Sequence, residues 1–253
     1  MNSVALALLI AALVFTGGVA GMFVHRRLPD RLIPDNSRDL IKFVVGFTTT
    51  LSALVLSLLV ASSYGLYNTQ KAGLEILSAR AVQLDRILRQ FGPEAAPARE
   101  IVKNTLIRND ERIRHAESGN SNDLAVDKVA GIAEQFTTAV GALDANTDAK
   151  KRLLAKVYEI ADSIGETRDL MSLQIASPVS APLLAILTFW TTVLFFGYGL
   201  LSKINATVVT ALAVGALVLG CAIFLIVELS QPYSGIIRVP TAALEAAIEA
   251  FDK

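Results

Sequence analysis

The longest apolar pattern runs from Leu40 to about Leu66, with no charged side chain between Lys42 and Lys71. At roughly 1.5 Å per helical residue, such a run covers the ~30 Å hydrocarbon core of a bilayer. Charges then return, but apolar residues recur at Leu74, Leu77, Ala81, Leu84, Leu88 and Phe91, alternately three and four apart. That spacing is a heptad-like seam, so it predicts a span that continues without a break into an amphipathic helix. Gly92-Pro93 ends the rod.

Three more runs are long enough to cross a membrane: Val4–Val24, Leu183–Leu201 and Ala206–Leu229. The first follows Met-Asn-Ser, which lacks a basic n-region, and it reads as a retained helix rather than a signal peptide. Pro29 and Pro34 prevent a through-helix into the second span, which Asn36 or Ser37 can cap with Asp39 near the positive end of the dipole. Ser202-Lys203-Ile204-Asn205 is a short turn, making the third and fourth spans a helical hairpin. The fourth carries Ala211 with Gly215 and Ala216 with Gly220, a spacing that lets helices approach closely.

Between the second and third spans the period stays helical. Segments from about Pro93 to Ser118, Asp123 to Ala145, and Thr147 or Asp148 to Ala176 each carry an apolar side. On them Val102, Leu106, Asn109, Ile113 and Ala116, then Val129, Ile132, Phe136, Val140 and Leu143, then Leu153, Val157, Ile160, Ile164 and Met171 point inward. The predicted fold is all-α: an integral membrane protein with four transmembrane helices and a four-helix soluble insert between spans 2 and 3. The predicted divisions are residues 1–66, 67–177, 178–230 and a tail, 231–253, whose Thr241–Phe251 segment is an amphipathic helix.

Placed at about 100° per residue, the small and polar positions of the second span fall on two sides. Thr48, Ser52 and Ser63 lie on one, and Gly46, Thr50, Ser57, Ala61 and Tyr64 on nearly the opposite one. Phe47, Leu51, Leu54, Val55 and Leu58 between them suit lipid. Two such faces fit helix packing on two sides or a pore on one, and Thr50, Ser57 and Tyr64 are the candidate pore-lining residues.

Composition agrees with a multi-pass chain: 53% of residues are hydrophobic and the mean hydropathy is +0.52, too apolar for a soluble domain of 253 residues. The balance of 23 basic against 23 acidic side chains provides no basic field, and nucleic acid is excluded as a partner. One cysteine, Cys221, excludes an intrachain disulfide; it reads as a small core residue. Arg26, Arg27, Arg31 and Arg38 crowd the first short loop and Lys203 the second. The positive-inside rule puts both loops in the cytoplasm of a bacterial inner membrane and the insert outside it.

No enzyme constellation is visible, and no metal or cofactor is expected. His25 and His115 form no zinc pattern, and phosphate-loop and nucleophile-elbow motifs are absent from the sequence. Asp110 and Glu111 lie among Arg108, Arg112 and Arg114 as an ion-paired helix face. Glu228 interrupts a run otherwise apolar from Ala206, and reads as a gate or ion site or as a helix-end acid in headgroup water. Arg38 and Arg238 admit the same two readings.

The ordered pieces Ser37-Arg38-Asp39-Leu40, Val45-Gly46-Phe47, Ser78-Ala79-Arg80, Leu84-Asp85-Arg86 and Phe91-Gly92-Pro93-Glu94 resemble a bacterial membrane-protein family called bestrophin-like. Gly197-Tyr198-Gly199-Leu200, Asn205-Ala206-Thr207 and Leu229-Ser230-Gln231-Pro232-Tyr233-Ser234-Gly235 before Arg238 continue the resemblance. It implies a homo-oligomer that conducts small anions, with its helical insert in the cytoplasm, opposite to the arginine count. Bestrophin pores have a phenylalanine-rich neck on the second span, and here only Phe43 and Phe47 are comparable. The rival class is a membrane-anchored sensor or scaffold whose insert binds a partner or ligand.

Overall fold

A computed structural model describes residues 3–27, 35–115, 126–175, 181–233 and 235–253; the side chains of residues 35–38, 115, 126–130 and 181 are outside the description. Among the described residues the regular structure is helical throughout. The helices are α1 (Ser3–Arg27), α2 (Asp35–Phe91), α3 (Ala96–His115), α4 (Val126–Gly141), α5 (Asp148–Ile175), α6 (Ala181–Leu201), α7 (Ala206–Leu229) and α8 (Ala242–Asp252). Four of them, α1, α2, α6 and α7, are long and apolar enough to cross a membrane. Since α2 already begins at Asp35, Asn36 and Ser37 fall inside its first turn.

The chain divides into two compact units: residues 1–65 with 177–230, and residues 66–176 with 231–253. In the first, α1 meets α6 through glycines. A Cβ on Gly199 would strike the Gly18 carbonyl oxygen, and one on Gly21 would strike the carbonyl of Phe196. Lipid tails provide no hydrophobic drive between helices, so van der Waals contact of this closeness is what holds such a pair. Ile10 and Val14 of α1 bury against Ile223 of α7, and Gly220 lies under Ala7 and Ala11. The first half of α2 joins through Val45 against Gly197 and through Leu59 with Leu187 and Ile226. The Asn205 side chain accepts from the Thr207 amide, capping α7. Cys221 departs from its expected core role: it is exposed on α7, on the side that also exposes Val214, Leu217, Val218 and Leu225.

In the second unit the seam of α2 is the spine. Leu84, Ile87, Leu88 and Phe91 pack with Ala95, Ala98, Val140, Leu143, Val157 and Ile160. Leu74 and Ala81 pack with Leu106, Ile113, Met171, Val239 and the Leu244, Ala247 and Phe251 face of α8. Gly92, at φ +123°, turns the chain where a side chain would be strained, and the Ala95 amide closes back on its carbonyl at 3.1 Å. Ala116 and the side chain of Val129 lie outside the described residues, and one inward assignment is corrected: Asn109 of α3 is exposed. Asp110, its neighbour, turns partly inward, with Oδ2 2.8 Å from Arg114 Nε. Buried Leu106 and Ile113 are seven apart, so a residue on their side has to lie about midway, and either neighbour satisfies that spacing.

Candidate functional site

The two polar sides of span 2 have opposite surroundings. Ser52 and Ser63 are buried, and neither hydroxyl has a hydrogen-bond partner. On the other side Thr50, Ser57, Ala61 and Tyr64 are exposed, and a Cβ placed on Gly46 or Gly65 would meet nothing within 4 Å. Thr48, Thr49 and Thr50 each return a hydroxyl to the carbonyl four residues back, at 2.8, 2.8 and 3.2 Å. The Thr49 hydroxyl also lies 3.5 Å from the hydroxyl of Tyr198 on α6. Thr50, Ser57 and Tyr64 are thus brought to one open face, with Phe43, Phe47, Leu54 and Leu58 exposed beside it.

Glu228 stands apart from that face. It is only 1% exposed, in the last turn of α7, and accepts a 2.5 Å hydrogen bond from Ser3 Oγ at the start of α1. The start of α1 is the positive end of its helix, whereas the end of α7 repels a carboxylate, so the α1 contact offsets the effect of Glu228's own helix.

Arg238 belongs to the second unit. Its Nε donates to Gly235 O at 2.8 Å, and Nη1 reaches Arg114 O at 2.9 Å and Ile113 O at 3.5 Å. These are last-turn carbonyls of α3, where a cation is favoured. The side chain of Arg38 lies outside the described residues.

Sequence reasoning gave no role to Gln70 or Asp85, which are among the buried polar residues of the second unit. Gln70, fully buried, donates to Met171 O and Gln174 Oε1, both at 3.1 Å, and accepts from the Tyr233 hydroxyl at 3.0 Å. Burial pushes the Tyr233 hydroxyl well above its ordinary pKa, which keeps it a donor. Asp85, also buried, takes Arg89 Nε at 2.7 Å and Arg99 Nε at 2.6 Å. Arg89 also donates to the carbonyls of Ala250 and Phe251, at the end of α8. The signal for Asp85 was an acid on the inward side of the seam, four residues before an arginine. Among the described residues no three histidine, cysteine or acidic side chains gather closely enough to hold a metal.

The fold is similar to that of a point variant of a bacterial bestrophin homologue from Klebsiella pneumoniae, with TM-score 0.64 and 13% identity over 97% of each chain. Two other solved membrane-protein variants are similar to the same degree. One has TM-score 0.65 and 12% identity over 96% of each chain; the other has 0.64 and 14% over 97% of each. No curated protein sequence matches. The family description "Bestrophin-like domain" matches residues 10–244. This four-span membrane protein belongs to the bestrophin-like family.

Proposed function

We propose that the protein is a homo-oligomeric anion channel of the bacterial inner membrane, with its pore lined by the Thr50, Ser57 and Tyr64 face of α2. The observation that carries this reading is the openness of that face: its hydroxyl-bearing and small positions are uncovered within one chain, whereas Ser52 and Ser63 are buried. A polar face left to lipid is unfavourable, and water in a path shared by several copies relieves it. Family membership supports the same reading, because bestrophins are oligomeric anion channels. The reading places the arginine-bearing short loop in the cytoplasm and the insert outside.

Halide flux into liposomes containing the purified protein tests it, with the parent compared to Ser57→Phe and the oligomeric state recorded on the same samples. A phenylalanine at an open position obstructs a path without disturbing a packed core, so flux falls at least tenfold while assembly is kept. Parent protein that assembles but carries no halide at several pH values would move the reading to a sensor or scaffold.

A further inference from the structure

In the second unit, the large apolar side chains left exposed among the described residues are Ile76, Tyr158, Leu170, Leu173 and Ile236. Singly exposed apolar residues are ordinary and need no explanation. Their distribution is not ordinary. Leu173, 67% exposed, is separated from the start of α6 only by residues 174–180, and Leu170 is one helical turn further back. Ile236, 74% exposed, follows the end of α7 by residues 230–235. Ile76 lies on α2 within a dozen residues of Gly65, where the membrane unit ends. The described side chains of α3, α4 and α8 contribute none, and Tyr158, set back toward the middle of α5, carries a hydroxyl.

Ile236 is presented by a constrained loop. The Val239 amide closes onto Pro232 O at 2.9 Å, and Gly235 takes φ +124°. Tyr233 and Val239 join the core of this unit, and the Tyr67 hydroxyl donates to Arg238 O at 3.2 Å. With both arms of the loop anchored, the exposed isoleucine is held at its tip rather than folded back.

We infer that Leu170, Leu173 and Ile236 form an interfacial membrane contact, by which the extramembrane unit rests in the headgroup and upper acyl layer of the bilayer the chain spans. The occupant is lipid because the residues cluster where the chain enters and leaves its spans. Their chemistry suits that layer, where branched aliphatic side chains bury. The inference does not depend on whether the protein conducts.

The test is depth-dependent quenching in the full-length protein, reconstituted in phosphatidylcholine–phosphatidylglycerol vesicles. On a Trp190→Phe background, Leu173→Trp, Ile236→Trp and, as a reference, Tyr158→Trp each place one indole at an exposed position. Lipids brominated high on the acyl chain are expected to quench the indoles at 173 and 236 at least twofold more than the one at 158, and aqueous acrylamide to do the reverse. Acrylamide quenching of all three without lipid quenching overturns the inference in favour of open water. On a Cys221→Ala background, Leu173→Cys or Ile236→Cys copies that cross-link to one another while lipid quenching is absent overturn it in favour of a second copy. Nitroxide labels on the same cysteines, read by oxygen against nickel accessibility, repeat the measurement if a tryptophan variant misfolds.

Discussion

Gln70 takes an amide into the interior of the extramembrane unit, and its polar atoms find partners there. Removing the Tyr233 hydroxyl leaves the Gln70 oxygen buried without its donor, a loss of about 1–3 kcal/mol. Tyr233→Phe is therefore expected to lower the thermal midpoint of the detergent-solubilised protein by several degrees, and Gln70→Leu with Tyr233→Phe together to recover part of the loss. Ionisation gives a second handle on the same hydroxyl. The folded-state pKa is raised, so the unfolded chain releases its proton first, from about pH 10. The hydroxyl's contribution is fully present below that pH and is lost above it, and the parent's midpoint should fall more steeply with alkali than that of Tyr233→Phe. Glu228 is argued the same way. Glu228→Leu deprives Ser3 of its acceptor and the start of α1 of a carboxylate, so the midpoint drops. Glu228→Gln keeps an acceptor and falls between. A Glu228→Leu protein as stable as the parent would show that the Ser3 contact contributes nothing to holding α1 against α7.

Helix α1 depends on glycines that leave its backbone bare against α6. Gly199→Val forces side-chain volume onto the Gly18 carbonyl, and overpacking of this kind costs about 1–3 kcal/mol even where neighbours can shift. Here the neighbour is backbone, so the expected result is little or no folded protein by size exclusion, whereas Gly46→Val, facing open space, folds normally. The spans were legible because their apolar runs are long, and the α2 rod because its seam holds a heptad spacing from Leu74 to Phe91. What the sequence left ambiguous was environment. Ser52 and Ser57 are the same residue type on the same helix, one buried and the other open, and angular placement separated the two faces without saying which was covered. Cys221 was misread for a related reason: a residue type that is commonly buried lies in a helix apolar on all sides, so no polar face marks the outside. The ring of partners around Gln70 was invisible because Met171, Gln174 and Tyr233 come from remote parts of the chain, and a lone glutamine carries no period.

At the scale of the whole molecule, charge and family resemblance point to opposite sides of the membrane for the insert. Arg26 and Arg27 end α1, Arg31 and Arg38 follow within the first short connection and the start of α2, and Lys203 lies in the second connection; positive charge at and near short loops is held on the cytoplasmic side. Against this, the bestrophin resemblance implies a cytoplasmic insert, and Lys71 and Arg80 stand near its start. Both of those residues have local partners: Lys71 lies 4.0 Å from Glu75, and Arg80 donates to Ser163 O and Thr167 Oγ1 at 2.5 and 2.6 Å. The loop arginines are therefore the stronger determinant, since long inserts count little once translocated. On a Cys221→Ala background, Lys156→Cys on exposed α5 should react with a membrane-impermeant maleimide in intact spheroplasts, and Ile204→Cys in the α6–α7 turn only after lysis. The reverse pattern would place the insert in the cytoplasm. It would also make Arg26 to Arg38 an extracytoplasmic cluster, a position that charge alone disfavours and that a role in gathering anions at the outer end of the α2 path would explain. Replacing Arg26, Arg27 and Arg31 with glutamine then separates the cases. If they set topology, the maleimide pattern inverts; if they gather anions, the pattern holds and halide flux falls most at low ionic strength, where their field is least screened.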